Sequence, residues 1–126
     1  IIMSGLSAGS ICWFKWGNSD SRKFKDKNAP LIRVRGLGFI NALHCPHYDI
    51  EKDREKELKI MMKKTAGVSI ALDNCAAIEI VNDSYRILSS KATANAYRVF
   101  WKKNKYFKEV ITKSTAFKPL AILLKK

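Results

Sequence analysis

The apolar positions of this chain fall in short runs broken by glycines, Asn-Asp pairs and lysine-rich stretches. Residues 1–4 are an apolar run that enters Gly5-Leu6-Ser7-Ala8-Gly9, and residues 10–16 carry Ile11, Trp13, Phe14 and Trp16 in an amphipathic stretch. That order reads as strand, sharp turn and helix. Gly17-Asn18-Ser19-Asp20-Ser21 ends the helix and opens a lysine-rich loop to Pro30. Residues 31–34 read as a short strand, and residues 37–40 as another leading into a His44-Cys45-Pro46-His47-Tyr48-Asp49 loop. Asp49 suits an N-cap, and Glu51 and Asp53 suit the positive end of a helix running to about Lys64. On that helix Arg54, Leu58, Met61 and Met62 fall at i, i+4, i+7 and i+8, so Arg54 shares the apolar face. Gly67 stops the helix and residues 68–72 read as a buried strand. Residues 76–81 and 86–89, joined at Asn82-Asp83, read as a hairpin; residues 96–101 and 105–111, joined at Lys103-Asn104, read as a second. Residues 117–126 suit a short helix after Pro119.

Helix and parallel-type strands early in the chain, with antiparallel hairpins late, predict an α/β fold with a mixed sheet, in one domain over residues 1–126. The strand that presents a nucleophile in such a sheet is central and has neighbours on both sides. This chain opens with Ile1 inside that strand. The expectation is therefore that a preceding βα segment is missing, or is supplied by another chain or by self-association.

A length of 126 residues fits one compact domain or half of a larger one. A hydrophobic content of 47% and a mean hydropathy of −0.19 are those of a soluble globular chain. No run approaches the ~20 apolar residues that span a bilayer, so no membrane partner is expected. The first residues have neither a basic n-region nor a long h-region, and the expected localisation is cytoplasmic. Cys12, Cys45 and Cys75 are an odd set without regular spacing, which argues against a disulfide framework.

Charge complicates the picture. The chain has 24 Lys+Arg against 11 Asp+Glu, a net charge of +13. Such a balance invites a nucleic-acid reading, because neutralising phosphates yields affinity without sequence specificity. The densest run, Phe100-Trp101-Lys102-Lys103-Asn104-Lys105-Tyr106-Phe107-Lys108, could be an aromatic platform for bases. It reads better as a hairpin whose lysines occupy the wet face and edge. No nucleic-acid-binding motif accompanies it.

The candidate chemistry begins at Gly5-x-Ser7-x-Gly9, which fits a nucleophile elbow. The glycines allow the tight turn, Ser7 is lifted out of the sheet edge, and the Ala8 N–H is the natural oxyanion donor. A serine needs a base, and the chain has two histidines, His44 and His47, in one loop. His44, Cys45, His47, Asp49 and Cys75 are also metal-ligand types, but their spacing matches no common zinc pattern.

Several landmarks in order then add up. Gly5-Leu6-Ser7-Ala8-Gly9-Ser10, Asn18-Ser19-Asp20, Cys45-Pro46-His47-Tyr48 and Asp53-Arg54-Glu55 together resemble the peptidase E (aspartyl dipeptidase, S51) family. The resemblance extends over essentially the whole chain as the C-terminal part of that fold. It implies a three-layer α/β architecture of the class I glutamine amidotransferase type, with a mixed, mainly parallel sheet lacking its first βα units. It further implies a serine-type peptidase acting on short peptides, including N-terminal aspartyl dipeptides. Ser7 would be the nucleophile and His47 the general base, while His44 has no counterpart. The family's acidic residue, which orients the histidine, falls nearest Asp73 in Leu72-Asp73-Asn74, with Asp20 as the competing choice. Arg54 matches the family's clamp for a substrate carboxylate; the plainer reading is an arginine paired with a neighbouring acid. No metal or organic cofactor is required. Two other readings stay open: an inactive or partner-dependent fragment of such an enzyme, and a basic nucleic-acid-binding protein.

Overall fold

The computed structural model describes residues 1–50 and 53–126. Residues 1–6 take no regular structure, and a four-residue helix α1 (Ala8–Ile11) follows Ser7. Next come β1 (Phe14–Ser19), a 3-10 turn (Ser21–Phe24), β2 (Ile32–Arg35) and β3 (Ile40–Cys45). Helix α2 (Arg54–Lys63) leads to β4 (Ser69–Leu72), β5 (Ala76–Val81), β6 (Ser84–Ser89), β7 (Ala96–Lys102) and β8 (Lys105–Ile111). The two-residue β9 (Lys118–Pro119) and α3 (Leu120–Leu124) close the chain.

Six strands form the central sheet in the order β2-β1-β3-β4-β7-β8. It is parallel at its centre, where β3 lies between β1 and β4, and antiparallel on both flanks. The first predicted hairpin, β5–β6, leaves this sheet and joins β9 in a second, three-stranded one. Strand alternation sorts the core into two layers. Ala42, Ile70, Leu72, Phe14 and Phe100 face the small sheet and α3, where Tyr85, Ile87 and Leu123 meet them. Leu43, Cys45, Ala71 and Val99 face the opposite way, onto Leu58 and Met62 of α2.

Both hairpins turn where the sequence predicts. Lys103 and Asn104 have φ of 48° and 61°, the left-handed pair that a two-residue turn between twisted strands requires. The basic aromatic run is largely used internally. Phe100 stacks on Phe107 with centroids 5.1 Å apart. Trp101 and Tyr106 pack toward α2, with Lys63 and Lys59 over their rings.

Besides the strand expected at residues 1–4, where the structure has an irregular segment that pairs with no strand of the described residues, two predicted elements are corrected. The amphipathic stretch 10–16 is not one helix: α1 ends at Ile11 and β1 begins at Phe14. Its large apolar residues suit either period, and pairing with β2 and β3 decides for the strand, where Phe14, Gly17 and Asn18 are buried. The second correction concerns the 44–49 loop. Strand β3 runs through His44 and Cys45, and α2 starts at Arg54 with Asp53 before it, so Asp49 does not cap it. Asp49 instead accepts the Asn74 N–H at 2.8 Å, tying two loops together. Glu51, placed by the sequence reading in the helix's first turn, lies outside the described residues.

Candidate active site

Parallel strands carry their C-terminal ends to one edge of a sheet, where loops can converge. Strands β3 and β4 are such neighbours, with Cys45 opposite Ala71. The Pro46-His47 loop follows the first and the Asp73-Asn74 loop follows the second, and the Tyr48 N–H bonded to the Leu72 carbonyl at 3.0 Å joins them. Into this edge comes the bend at Ser7.

Ser7 has φ 55° and ψ −119°, a sparsely populated conformation for a residue with a Cβ. Local contacts maintain it. The Gly9 N–H reaches the Leu6 carbonyl at 2.9 Å, and the Ser10 and Ile11 N–H groups reach the Ser7 carbonyl at 3.0 and 3.2 Å. Gly5 is obligatory here, because a Cβ on it would lie 2.1 Å from the Gly9 carbonyl oxygen. A Cβ on Gly9 would meet nothing within 4 Å. The two glycines of the motif are therefore not equivalent: the first permits the turn and the second does not constrain it.

Ser7 Oγ lies 2.9 Å from His47 Nε2, although 40 positions separate them in sequence. His47 is itself at a positive φ, 53°, so both partners are held in unusual backbone conformations. Its other ring nitrogen, Nδ1, contacts Asn74 Oδ1. An amide oxygen only accepts, so Nδ1 carries the ring proton and Nε2 presents its lone pair to Ser7. Ser7, His47 and Asn74 are each half-buried, accessible to solvent yet fixed by neighbours.

The acidic residues expected beside His47 are engaged elsewhere. Asp73 is buried, and its carboxylate accepts the Asn95 N–H at 2.9 Å while its own N–H donates to the Asn95 carbonyl at 3.0 Å. Burial raises its pKa above the usual carboxylate value, and the Asn95 hydrogen bond acts against that rise. Asp20 lies 3.5 Å from the Arg54 guanidinium. The residue that meets the imidazole is Asn74, one position past the expected acid. The missed signal was small: Leu72-Asp73-Asn74 offers two side chains of one length, and the backbone turn after β4 selects between them.

Arg54 is also placed differently from a residue open to substrate. It is 1% exposed and donates to Asn18 Oδ1 of β1 at 3.1 Å in addition to pairing with Asp20. The plainer sequence reading, an arginine on the apolar helix face paired with an acid, describes this position. His44 is 1% exposed and contacts Ser10, not Ser7. Cys45 is buried, Cys12 half-buried and Cys75 exposed. Among the described residues no three His, Cys, Asp or Glu side chains gather closely enough to hold a metal ion. No helix of the described residues is long and apolar enough to cross a membrane.

The site is thus a serine at a strained bend beside a mixed α/β sheet, one hydrogen bond from a histidine on the loop after β3. Comparison with known proteins supplies the class: the pattern of Peptidase family S51 matches residues 1–88, and the chain belongs to that peptidase family. It is also 39% identical, over 101 residues, to the uncharacterized peptidase YgaJ of Bacillus subtilis (strain 168). That match takes in 79% of this chain and 41% of the Bacillus protein, so the chain spans well under half the length of this relative.

Proposed function

We propose that this chain carries the nucleophile and the general base of a serine-type peptidase acting on short peptides. The observation that supports this reading is the 2.9 Å contact between Ser7 Oγ and His47 Nε2. Ser7 attacks the peptide carbonyl, forming a tetrahedral adduct, while its proton passes to Nε2. His47 returns that proton to the departing amine, leaving an acyl-enzyme. A water deprotonated by the same nitrogen then hydrolyses the ester.

Asn74 takes the role expected of Asp73. It holds the tautomer and the ring plane of His47 without a negative charge, as an asparagine does in some cysteine–histidine sites. The oxyanion falls to the Ala8 N–H, at the first residue of α1, where a helix leaves its leading N–H groups without an intrahelical acceptor. A preference for N-terminal aspartyl peptides would require Arg54 to exchange Asp20, whose side chain is 44% exposed, for a substrate carboxylate.

The test is turnover of Asp-X and neutral X-X dipeptides by the protein and its Ser7→Ala and His47→Ala variants. Each substitution is expected to lower kcat by at least about 10³-fold while the variant stays folded. Wild-type turnover in either variant would overturn the proposal.

A further inference from the structure

His44 has no part in the proton path just described, yet it makes three well-formed contacts with three different elements. Its Nδ1 lies 3.0 Å from the Ile70 carbonyl oxygen of β4. A carbonyl only accepts, so the ring proton sits on Nδ1 and Nε2 carries a lone pair. The ring stacks on Phe14 of β1, with centroids 4.6 Å apart and planes 17° from parallel. Nε2 faces Ser10 Oγ at 2.9 Å and accepts its hydroxyl proton, while the Ser10 N–H donates to the Ser7 carbonyl oxygen at 3.0 Å and Ser10 Oγ lies 2.6 Å from that oxygen.

We infer that His44 is a positioning residue for the nucleophile, acting through Ser10 to hold the carbonyl side of the Ser7 bend. The inference rests on the Ser7–His47 reading and extends it with a second serine–histidine pair behind the first. The strained φ and ψ of Ser7 persist only if the surroundings over-determine them. The Ser7 carbonyl and its Oγ leave the same Cα, so rotation of that carbonyl swings the hydroxyl relative to His47. Ser10, its one hydroxyl proton taken by a ring locked in the core, keeps its N–H on the Ser7 carbonyl at 3.0 Å and so opposes this rotation. At 1% exposure, His44 is closed to substrate, so its influence on the chemistry passes through Ser10. Strand β4 then serves both histidines: Ile70 orients His44, and Asn74, just past the strand's end, orients His47.

The experiment measures the rate at which a serine-directed phosphonate modifies Ser7, as kinact and KI, in the wild type, Ser10→Ala, His44→Phe and the double variant. Phenylalanine preserves the stack on Phe14 and removes both nitrogens. Each single change is expected to lower kinact about 10–10²-fold, the effect of a misplacement on the order of 1 Å, with KI within about twofold. The double variant should be no slower than the slower single one, because both cut the same link. A merely structural role would move the melting temperature and leave kinact in place. Wild-type kinact in the single variants, or multiplying effects in the double, would overturn the inference. Should His44→Phe fail to fold, Ser10→Ala decides alone. Labelled wild type with unaffected variants refutes only the positioning role, whereas wild type unmodified at Ser7 refutes the underlying reading and the inference with it.

Discussion

Acid should weaken this protein through His44, and the size of the effect follows from where the ring sits. Burial beside Phe14 lowers its pKa from 6.5 to about 4; the Ile70 hydrogen bond opposes that fall and charge on His47 adds to it. In the unfolded chain the ring takes a proton near its ordinary pKa, while the folded ring refuses it until about pH 4. The neutral ring therefore contributes stability that is fully present above about pH 6.5 and is lost as pH falls toward 4. The gap corresponds to about 3 kcal/mol. Asp73 acts with the opposite sign, because burial raises its pKa and acidification relieves the cost of its ionised form. The assay is urea unfolding of the wild type and His44→Phe at about pH 7 and about pH 4.5. The variant should be weaker at neutral pH by about 1–3 kcal/mol, since the Ile70 carbonyl loses its donor. It should then lose about 2–3 kcal/mol less than the wild type on acidification. Asp73 is common to both proteins and cancels. Equal losses in the two would refute the assignment of a buried neutral ring.

Four further outcomes follow from contacts at the site. Gly5→Ala should disrupt the bend and abolish turnover, whereas Gly9→Ala should keep both, because only the first would clash with backbone; circular dichroism and kcat separate them. Asn74→Ala should lower kcat about 10–10²-fold by freeing the His47 ring, while Asn74→Asp keeps an acceptor for Nδ1–H and should stay within about tenfold of the wild type. Asp20→Asn should cost under about 1 kcal/mol in denaturant unfolding, its carboxylate being partly solvated. Arg54→Met should cost about 1–3 kcal/mol, since it strips Asn18 of a buried donor.

The sequence carried much of this arrangement and lost it in identifiable places. Turn chemistry at Asn82-Asp83 and at Asn104 located both hairpins, because asparagine tolerates the positive φ that Asn82 and Asn104 adopt. The Gly-x-Ser-x-Gly run and the proline-histidine loop held the two side chains, Ser7 and His47, that the fold brings 2.9 Å apart. What local patterning could not supply was the partner of a run that suits two periods. Residues 10–16 are apolar enough for either helix or strand, and only the seat between β2 and β3 fixes Phe14 onward as a strand. The same limit applies to Asn74. Whether residue 73 or 74 meets an imidazole depends on how one loop hangs from β4, and the bonds between Asp73 and Asn95 settle that through a contact 22 residues away. Arg54 shows a third kind of loss: its place on the apolar face was legible, but Asn18 and Asp20, its partners across the fold, could not be assigned from helix periodicity.

Activation of the Ser7 hydroxyl by His47 is measured most directly by locating a covalent phosphonate adduct through peptide mapping, with and without that base. The expected result is modification of Ser7 in the wild type and at least about a 10³-fold slower reaction in His47→Ala. An adduct on Ser10 or another serine, or undiminished labelling of Ser7 without the imidazole, would contradict it.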